Sequence, residues 1–377
     1  MIKIIKPVYE ILDTLNSKGH EGYLVGGAVR NTLLKLPIDD YDITTDASPN
    51  EVKDIFKDYT LYKVGEKHGT IAILKDDLKI EITTFRSDLD YKDHRHPESV
   101  IFTKNLEEDL KRRDFTINAL CLDKKGNLID KVNGLNDLNN KIIRTINDPK
   151  ERFNEDALRI LRALRFSAKF NFEIENNTKK AMFKYKDLLN YISNERKKEE
   201  LLKILSTKNN LKTYINDYLN IYNTFIPFKK IDDTINNFSN PYYSLAYLLS
   251  KTNNYDLKEL KFSKKEINLL NTLIKATNTN IENDYNFIDL LSNTNNEEIL
   301  LYLNELYNTN LSNRYKALKA YMVNKKTIKL NGEDLLALGY KGKEIKEVQE
   351  KLIENIKNKE LKNTKASLLK HLKKKML

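Results

Sequence analysis

An α+β protein is predicted, with a mixed head of strands and helices over residues 1–150 and an almost wholly helical chain after it. Three observations predict this class. Short runs rich in β-branched and aromatic residues, Tyr23–Val25, Tyr41–Thr45, Thr70–Leu74 and Leu78–Phe85, fall in the first part and read as strands. Gly26–Gly27, Pro37 and Gly65 punctuate them, as turns require. After residue 150 apolar residues return every three or four positions, over Asn154–Phe166, Thr178–Tyr191 and Asn194–Leu205, with Ser193 as the expected N-cap of the last.

The 377 residues call for two to four domains or subdomains. The segment 206–330 is polar and rich in tyrosine, with short helices expected between asparagine clusters such as Asn293–Asn296. A further unit is expected near Leu330, where a turn precedes a periodic helix. The expected divisions are therefore 1–150, 151–210, 211–329 and 330–377. No run of about eighteen apolar residues is present, so no transmembrane helix is expected. The amphipathic, partly acidic start is unlike a signal or transit peptide. A single cysteine excludes a disulfide framework and suits a reducing cytoplasm. Five histidines and that one cysteine leave no zinc-ligand spacing. Lys and Arg exceed Asp and Glu by 65 to 54, a net charge of +11. Residues 341–377 alone hold twelve Lys and five Glu. Charge so placed fits a polyanion partner or a plain solvated helix; composition alone does not choose.

Tyr23 to Pro49 is the stretch most informative about chemistry. A strand enters Gly26–Gly27 and a helix carrying Arg30 leaves it. Glycines there let a ligand approach the backbone, a helix start offers N–H groups to phosphate, and Arg30 adds charge for a triphosphate. Asp40 and Asp42 lie two apart in a β-like run, which puts both carboxylates on one face about 7 Å apart. An oxygen-only pair of this kind suits Mg²⁺. In LKIEITTFR, Ile80 and Ile82 alternate with Glu81. Pairing of that strand beside the first would bring Glu81 to the same side as a third carboxylate, enough for a two-metal phosphoryl transfer. IDDYD alone would read as an acidic turn; its neighbours argue for the site.

GGAVR followed by DYDITT resembles the polymerase-β-type nucleotidyltransferases, in particular the branch of class II tRNA nucleotidyltransferases and bacterial poly(A) polymerases. Further blocks follow in that family's order: VGEKHGTI at 64–71, EITTFR at 81–86, YKDHRHPESVIF at 91–102, DLKRRDFTINAL at 109–120, EDALRILRALRF at 155–166 and SNERKKEELLKIL at 193–205. NGEDLLALGYKGKEI at 331–345 is similar to the C-terminal module of bacterial CCA-adding enzymes. The resemblance covers most of the chain and is weakest over 206–330. Asn31 departs from it, standing where the family usually has an acid; no loss of activity is expected.

The resemblance implies a nucleotidyltransferase head followed by helical neck, body and tail. It implies CCA addition to tRNA from CTP and ATP without a nucleic-acid template, in the cytoplasm. Asp40 and Asp42 would bind two Mg²⁺ ions, with Glu81 assisting and Gly26, Gly27 and Arg30 at the nucleotide. Arg113 would contact the nucleotide and Asp114 its ribose; HGT at 68–70 would lie near the triphosphate. On the helix expected from Glu155, Ala157, Ile160, Leu161, Leu164 and Ala168 share one arc and Arg159, Arg162 and Arg165 the other. Asp156 would accept from the amino group of cytosine or adenine while Arg159 donates to the ring. Arg162 and Arg165 would meet phosphate or hold that helix. The charged segment between Arg86 and Phe102 resembles the flexible loop of enzymes that add adenosine. The partners implied are the tRNA 3′ end and elbow, with no membrane and no stable protein partner. Addition of the terminal A alone, or poly(A) synthesis, remains an alternative.

Overall fold

The computed structural model describes residues 2–62, 69–88, 100–253, 255–293 and 296–376. The chain folds as two compact units, Met1–Asn209 with Asn220–Ile226, and Asn210–Leu219 with Pro227–Leu377.

The first unit opens with α1 (Lys6–Ser17), whose Val8, Ile11, Leu12 and Leu15 repeat at helical spacing and are buried. A mixed sheet follows, formed by β1 (Gly22–Val25), β2 (Tyr41–Thr45), β3 (Thr60–Tyr62), β4 (Thr70–Lys75), β5 (Leu78–Thr84), β8 (Cys121–Leu122) and β9 (Leu128–Ile129). Its order is β3-β4-β5-β2-β1-β8-β9. Only β2 and β5 run parallel, in a register that sets Asp42 opposite Glu81. In β5, Ile80 and Ile82 are fully buried while Lys79 and Glu81 take the other face, the alternation expected of a strand covered on one side. Two short strands, β6 (Arg86–Asp88) and β7 (Val100–Phe102), pair with each other.

Helices α2 (Gly27–Leu33), α3 (Pro49–Ile55), α4 (Leu106–Lys111) and α5 (Gly134–Asn139) complete the expected head. Ser48 and Glu51 form a capping box that starts α3. The region after residue 148 begins with α6 (Pro149–Glu155), α7 (Leu158–Phe170), α8 (Asn176–Tyr185) and α9 (Asn194–Leu205).

Three helix expectations are corrected. The helix expected over Asn154–Phe166 is two helices, broken at Asp156, whose backbone is extended (φ −139°, ψ 101°). The helix expected to reach Tyr191 ends at Tyr185 and tightens into a 3₁₀ segment, Lys186–Tyr191. Ser193 does sit at the start of α9, but its hydroxyl makes no capping bond.

Head and neck residues form one unit because buried polar contacts stitch them. Arg162 donates to Asp114, Arg159 to the Arg112 carbonyl at 2.9 Å, and Arg152 to the Lys111 carbonyl at 3.1 Å, while Phe115 meets the edge of Phe166. Body and tail residues likewise share the second unit. Val323, Ile328, Leu330, Leu335, Leu352 and Ile356 bury one another, so this cluster starts seven residues before Leu330. Lys357 ties it at 2.6 Å to Asp289.

Candidate active site

The sheet register gathers the first part of the site. Val25, Asp42 and Glu81 are neighbours in one row across β1, β2 and β5. The chain leaving β1 turns at Gly26 with φ +73° and ψ −129°, a conformation that L side chains rarely adopt. A Cβ at that position would lie 3.6 Å from Arg113 Nη1 and 3.8 Å from Asp42 Oδ2. The glycine turn, the carboxylate and the guanidinium therefore share one corner.

Asp42 accepts no hydrogen bond from a described residue. Burial raises its pKa, Arg113 opposes the shift, and the charges of Glu81 and Asp40 add to it. Asp40 differs from expectation: β2 begins at Tyr41, so Asp40 precedes the strand and is exposed. Glu81 is beside Asp42 in register, but its carboxylate takes the Lys79 ammonium at 2.6 Å. Among the described residues no three His, Cys, Asp or Glu side chains form a ready-made metal group. The donor chemistry still fits a divalent cation. Asp40 and Asp42 offer hard carboxylate oxygens, and Arg113 only partly offsets the burial and like charges that disfavour the Asp42 anion.

Asp109 organises the next wall. It is fully buried and accepts from Thr44 Oγ1 on β2 at 3.0 Å, from Arg112 Nη2 at 2.7 Å and from Arg113 Nη2 at 3.1 Å. One carboxylate on α4, tied through Thr44 to the strand that carries Asp42, thus aims both arginines. Burial alone would raise the Asp109 pKa; the two guanidinium groups bring it below the usual value. Asp114 accepts from its own turn at Phe115 N (2.8 Å), from Asn118 Nδ2 (3.0 Å) and from Arg162 Nε (2.8 Å) and Nη2 (2.5 Å). Burial opposes its ionisation, yet Arg162 and Asn118 pull its pKa down to about 2.

Arg30 is buried, with Phe166 and Phe170 under its guanidinium at 5.2 and 4.6 Å. Its hydrogen-bond partners are amides: Asn31 Oδ1, at 2.8 Å from Nη2, and Asn118 Oδ1. Burial lowers its pKa to about 10, with Asp114 opposing and Arg165 and Arg162 assisting. Asn31 also donates to the Pro37 carbonyl at 2.7 Å. An acid at 31 would lack that donor, so the amide supports both Arg30 and the following turn.

The second part of the site lies on α6 and α7. The apolar arc is buried as expected, at Ala157, Ile160, Leu161, Leu164 and Ala168. The opposite arc is no solvated face. Arg159 is buried and donates to Glu155 (2.6 Å) and to the carbonyls of Arg152 (3.1 Å) and Arg112 (2.9 Å). That uses three of its five N–H groups and leaves two. Arg165 reaches Glu200 at 3.1 Å. Asp156, in the break between the helices, accepts from Leu158 N at 3.1 Å and from Arg196 at 3.0 and 3.4 Å.

One cavity of about 920 Å³ collects these groups. Gly26, Gly27, Arg30, Asp40, Asp42, Arg113, Asp114, Asp156, Arg159, Arg162 and Arg165 all line it. Glu81 does not reach its lining. Sequence reasoning missed Arg112, Asn118, Phe166, Lys169, Lys203 and Lys208 on its walls, and Asp109 and Arg196 behind them. Most of these lie inside the sequence blocks quoted above, but no spacing marked which faced inward. His68 of the HGT triplet and most of the Arg86–Phe102 segment, residues 89–99, lie outside the described residues.

Comparison with known proteins bears on the family and the fold. Residues 22–144 match the Poly A polymerase head domain, and residues 171–216 the probable RNA and SrmB-binding site of polymerase A. A CCA-adding enzyme of Staphylococcus epidermidis is 36% identical over 364 residues, covering 89% of this chain and 88% of that protein. The chain belongs to the CCA-adding enzyme family. A CCA-adding enzyme of Bacillus licheniformis is 49% identical over 198 residues; there the chain spans about half of the relative's length, 49%. Among solved structures, the Bacillus stearothermophilus CCA-adding enzyme in complex with CTP superposes with a TM-score of 0.77 at 26% identity, covering 99% of both chains. A CCA-adding enzyme with ATP gives 0.73 at 25% identity, covering 98% of this chain and 95% of that one. Among the described residues no helix is long and apolar enough to cross a membrane.

Proposed function

We propose that the chain adds C, C and A to tRNA 3′ ends from CTP and ATP, without a nucleic-acid template, as a cytoplasmic enzyme. The observation that carries this reading is the meeting in one cavity of Asp40, Asp42 and the Gly26 turn with Asp156 and Arg159. The CTP-bound and ATP-bound relatives described above support the choice of nucleotides.

In the reaction the primer 3′-oxygen bonds to the α-phosphorus, the bond to pyrophosphate breaks, and the hydroxyl proton passes to solvent. Asp40 and Asp42 would hold Mg²⁺, two ions in the active complex, with the Glu81 charge beside Asp42 across the strand pair. When bound, the metal supplies Lewis-acid stabilisation of phosphate charge and lowers the hydroxyl pKa, so no general-base histidine is required. Gly26 and Gly27 let the nucleotide approach the backbone. Arg30, Arg113, Arg162 and Arg165 give the cavity the positive wall that a triphosphate needs. Asp114 fixes Arg162 and Asn118 at the ribose side.

Asp156 and Arg159 read the base. The Asp156 carboxylate keeps one unused lone pair on Oδ2, which accepts from the amino group of cytosine or adenine. The O4 of uracil and the O6 of guanine bring an acceptor against that acceptor. Arg159 offers its remaining N–H groups to the ring nitrogen that both correct bases share. Purified protein, a tRNA ending at its discriminator base, and each NTP alone or combined test the reading. Incorporation of C from CTP and of A only after C is expected. Addition of A alone to a tRNA already ending in CC, or of long A tracts, would replace it.

A further inference from the structure

Helix α9 packs beside α7 through a row of polar side chains that the reading above leaves without a role. Arg196, Glu200 and Lys203 stand four and three residues apart, on one face of the helix. Each meets the cavity or one of its lining residues. Arg196 donates to both oxygens of Asp156, Glu200 takes Arg165 at 3.1 Å, and Lys203 lines the cavity itself. Arg196 is the member that touches the base-reading carboxylate.

Asp156 needs such a hold. It occupies the break between α6 and α7, where its N–H donates to the Arg152 carbonyl at 3.3 Å and its carbonyl accepts from Arg159 N at 3.0 Å, bonds that hold the backbone and leave the carboxylate unset. Its own chain supplies that carboxylate with one hydrogen bond, from Leu158 N to Oδ1. One bond leaves the carboxylate free to turn about its terminal torsion, which is a broad well. Arg196 adds Nη1 to Oδ1 at 3.4 Å and Nη2 to Oδ2 at 3.0 Å, a two-point fork that fixes the carboxylate plane. Resting on the proposed function, we infer that Arg196 is a positioning residue for nucleotide choice. It holds the free Oδ2 lone pair of Asp156 where an amino group is accepted and a carbonyl oxygen is repelled. Arg159 is oriented independently, by Glu155 and two backbone carbonyls. Loss of Arg196 therefore alters selection between bases more than capture of nucleotide.

The test measures kcat/KM for CTP and UTP on a tRNA lacking CCA, using the full chain. Arg196→Ala is expected to lower the CTP:UTP ratio at least about tenfold, and Arg196→Lys to restore part of it, since an ammonium donates without a planar fork. Adding Arg196→Ala to Asp156→Ala is expected to change the ratio no further, because the arginine acts through the carboxylate. An unchanged ratio in Arg196→Ala, or an equal fall for CTP and UTP with a lowered Tm, overturns the inference as a merely structural role. Equilibrium binding of CTP and UTP without tRNA separates this outcome from failure of the function itself. A wild-type chain that prefers CTP in binding, and loses the preference in Arg196→Ala, yet never extends tRNA, overturns the proposed function and upholds Arg196. A chain that extends tRNA with C and A while Arg196→Ala keeps its ratio does the reverse, and a wild type that neither extends nor discriminates overturns both.

Discussion

Asp42 carries a charge that its surroundings disfavour. It is partly buried, sits opposite Glu81, and accepts no hydrogen bond from a described residue. Its pKa is raised, so in the metal-free protein its ionisation costs stability as pH rises through the ordinary carboxylate range. Asp42→Asn should therefore raise the urea midpoint of the metal-free protein at pH 7, while nucleotide transfer falls at least about 100-fold through loss of a metal ligand. Paired denaturation and primer-extension assays check both halves; near-normal transfer would remove Asp42 from the site. Asp114 is the opposite case. Its folded pKa of about 2 lies below an unfolded value of about 3.9. Its stabilisation, about 2 kcal/mol, is then fully present above pH ~4 and is lost as pH falls toward 2. Asp114→Asn should lose about 2–3 kcal/mol at pH 7, leaving Arg162 without its carboxylate. The variant's urea stability between pH 4 and pH 2 should also flatten relative to wild type.

Among the elements, α7 has two faces with different work. Leu161 is fully buried on the apolar face, so Leu161→Ala should cost about 2–5 kcal/mol in a urea titration. Because the opposite face of α7 carries the cavity arginines, nucleotide transfer should fall in the same variant at temperatures where it is still folded. A cost under about 1 kcal/mol would mean that the helix is not anchored as its burial implies. The two faces were legible in the sequence because both follow a 3.6-residue period. The break at Asp156 was not, because Phe153, Ala157 and Ile160 keep one helical spacing across it and are all fully buried. An acid two residues before a helical N–H is a local cap, and that signal was available. The β2–β5 row was readable for a similar reason: Ile80 and Ile82 alternate with Glu81, so pairing of the two strands puts Glu81 beside Asp42. Asp40 lies one residue before the strand predicted and found at Tyr41–Thr45, so strand alternation does not fix its side chain as it fixes that of Asp42, though both line the cavity. Arg196, Asp109 and Lys203 were not marked at all. Their roles come from which helix packs beside which, and periodicity along one element carries no such information.

For the whole molecule, charge placement matters more than the net +11. Several lysines of residues 341–377 are committed inside the second unit. The Lys357 ammonium is buried against Asp289 at 2.6 Å, Lys359 pairs with Asp284, and Lys365 pairs with Asp334 at 2.5 Å. Lys343, Lys346, Lys370 and Lys373 are exposed and have no ion pair with a described residue. On the proposed function these four, together with Lys341, Lys351, Lys362 and Lys374, which are equally exposed and without an ion pair to a described residue, are free to neutralise tRNA phosphates. Each contact made releases counterions, so the logarithm of affinity falls with the logarithm of salt concentration by about 0.9 per phosphate on a duplex. Replacing all four by glutamine should weaken tRNA binding and lower that slope by about 1–3, depending on how many make contact. CTP and UTP binding in the first unit should stay as in wild type. Lys357→Gln is the control: it removes a buried ion-pair partner, so it should lower the urea midpoint and leave the salt slope unchanged. Filter binding of a tRNA lacking CCA from 50 to about 300 mM salt reads both variants. A quadruple variant with the wild-type slope would mean that these four lysines are solvated surface and that the tRNA phosphates are held by other residues.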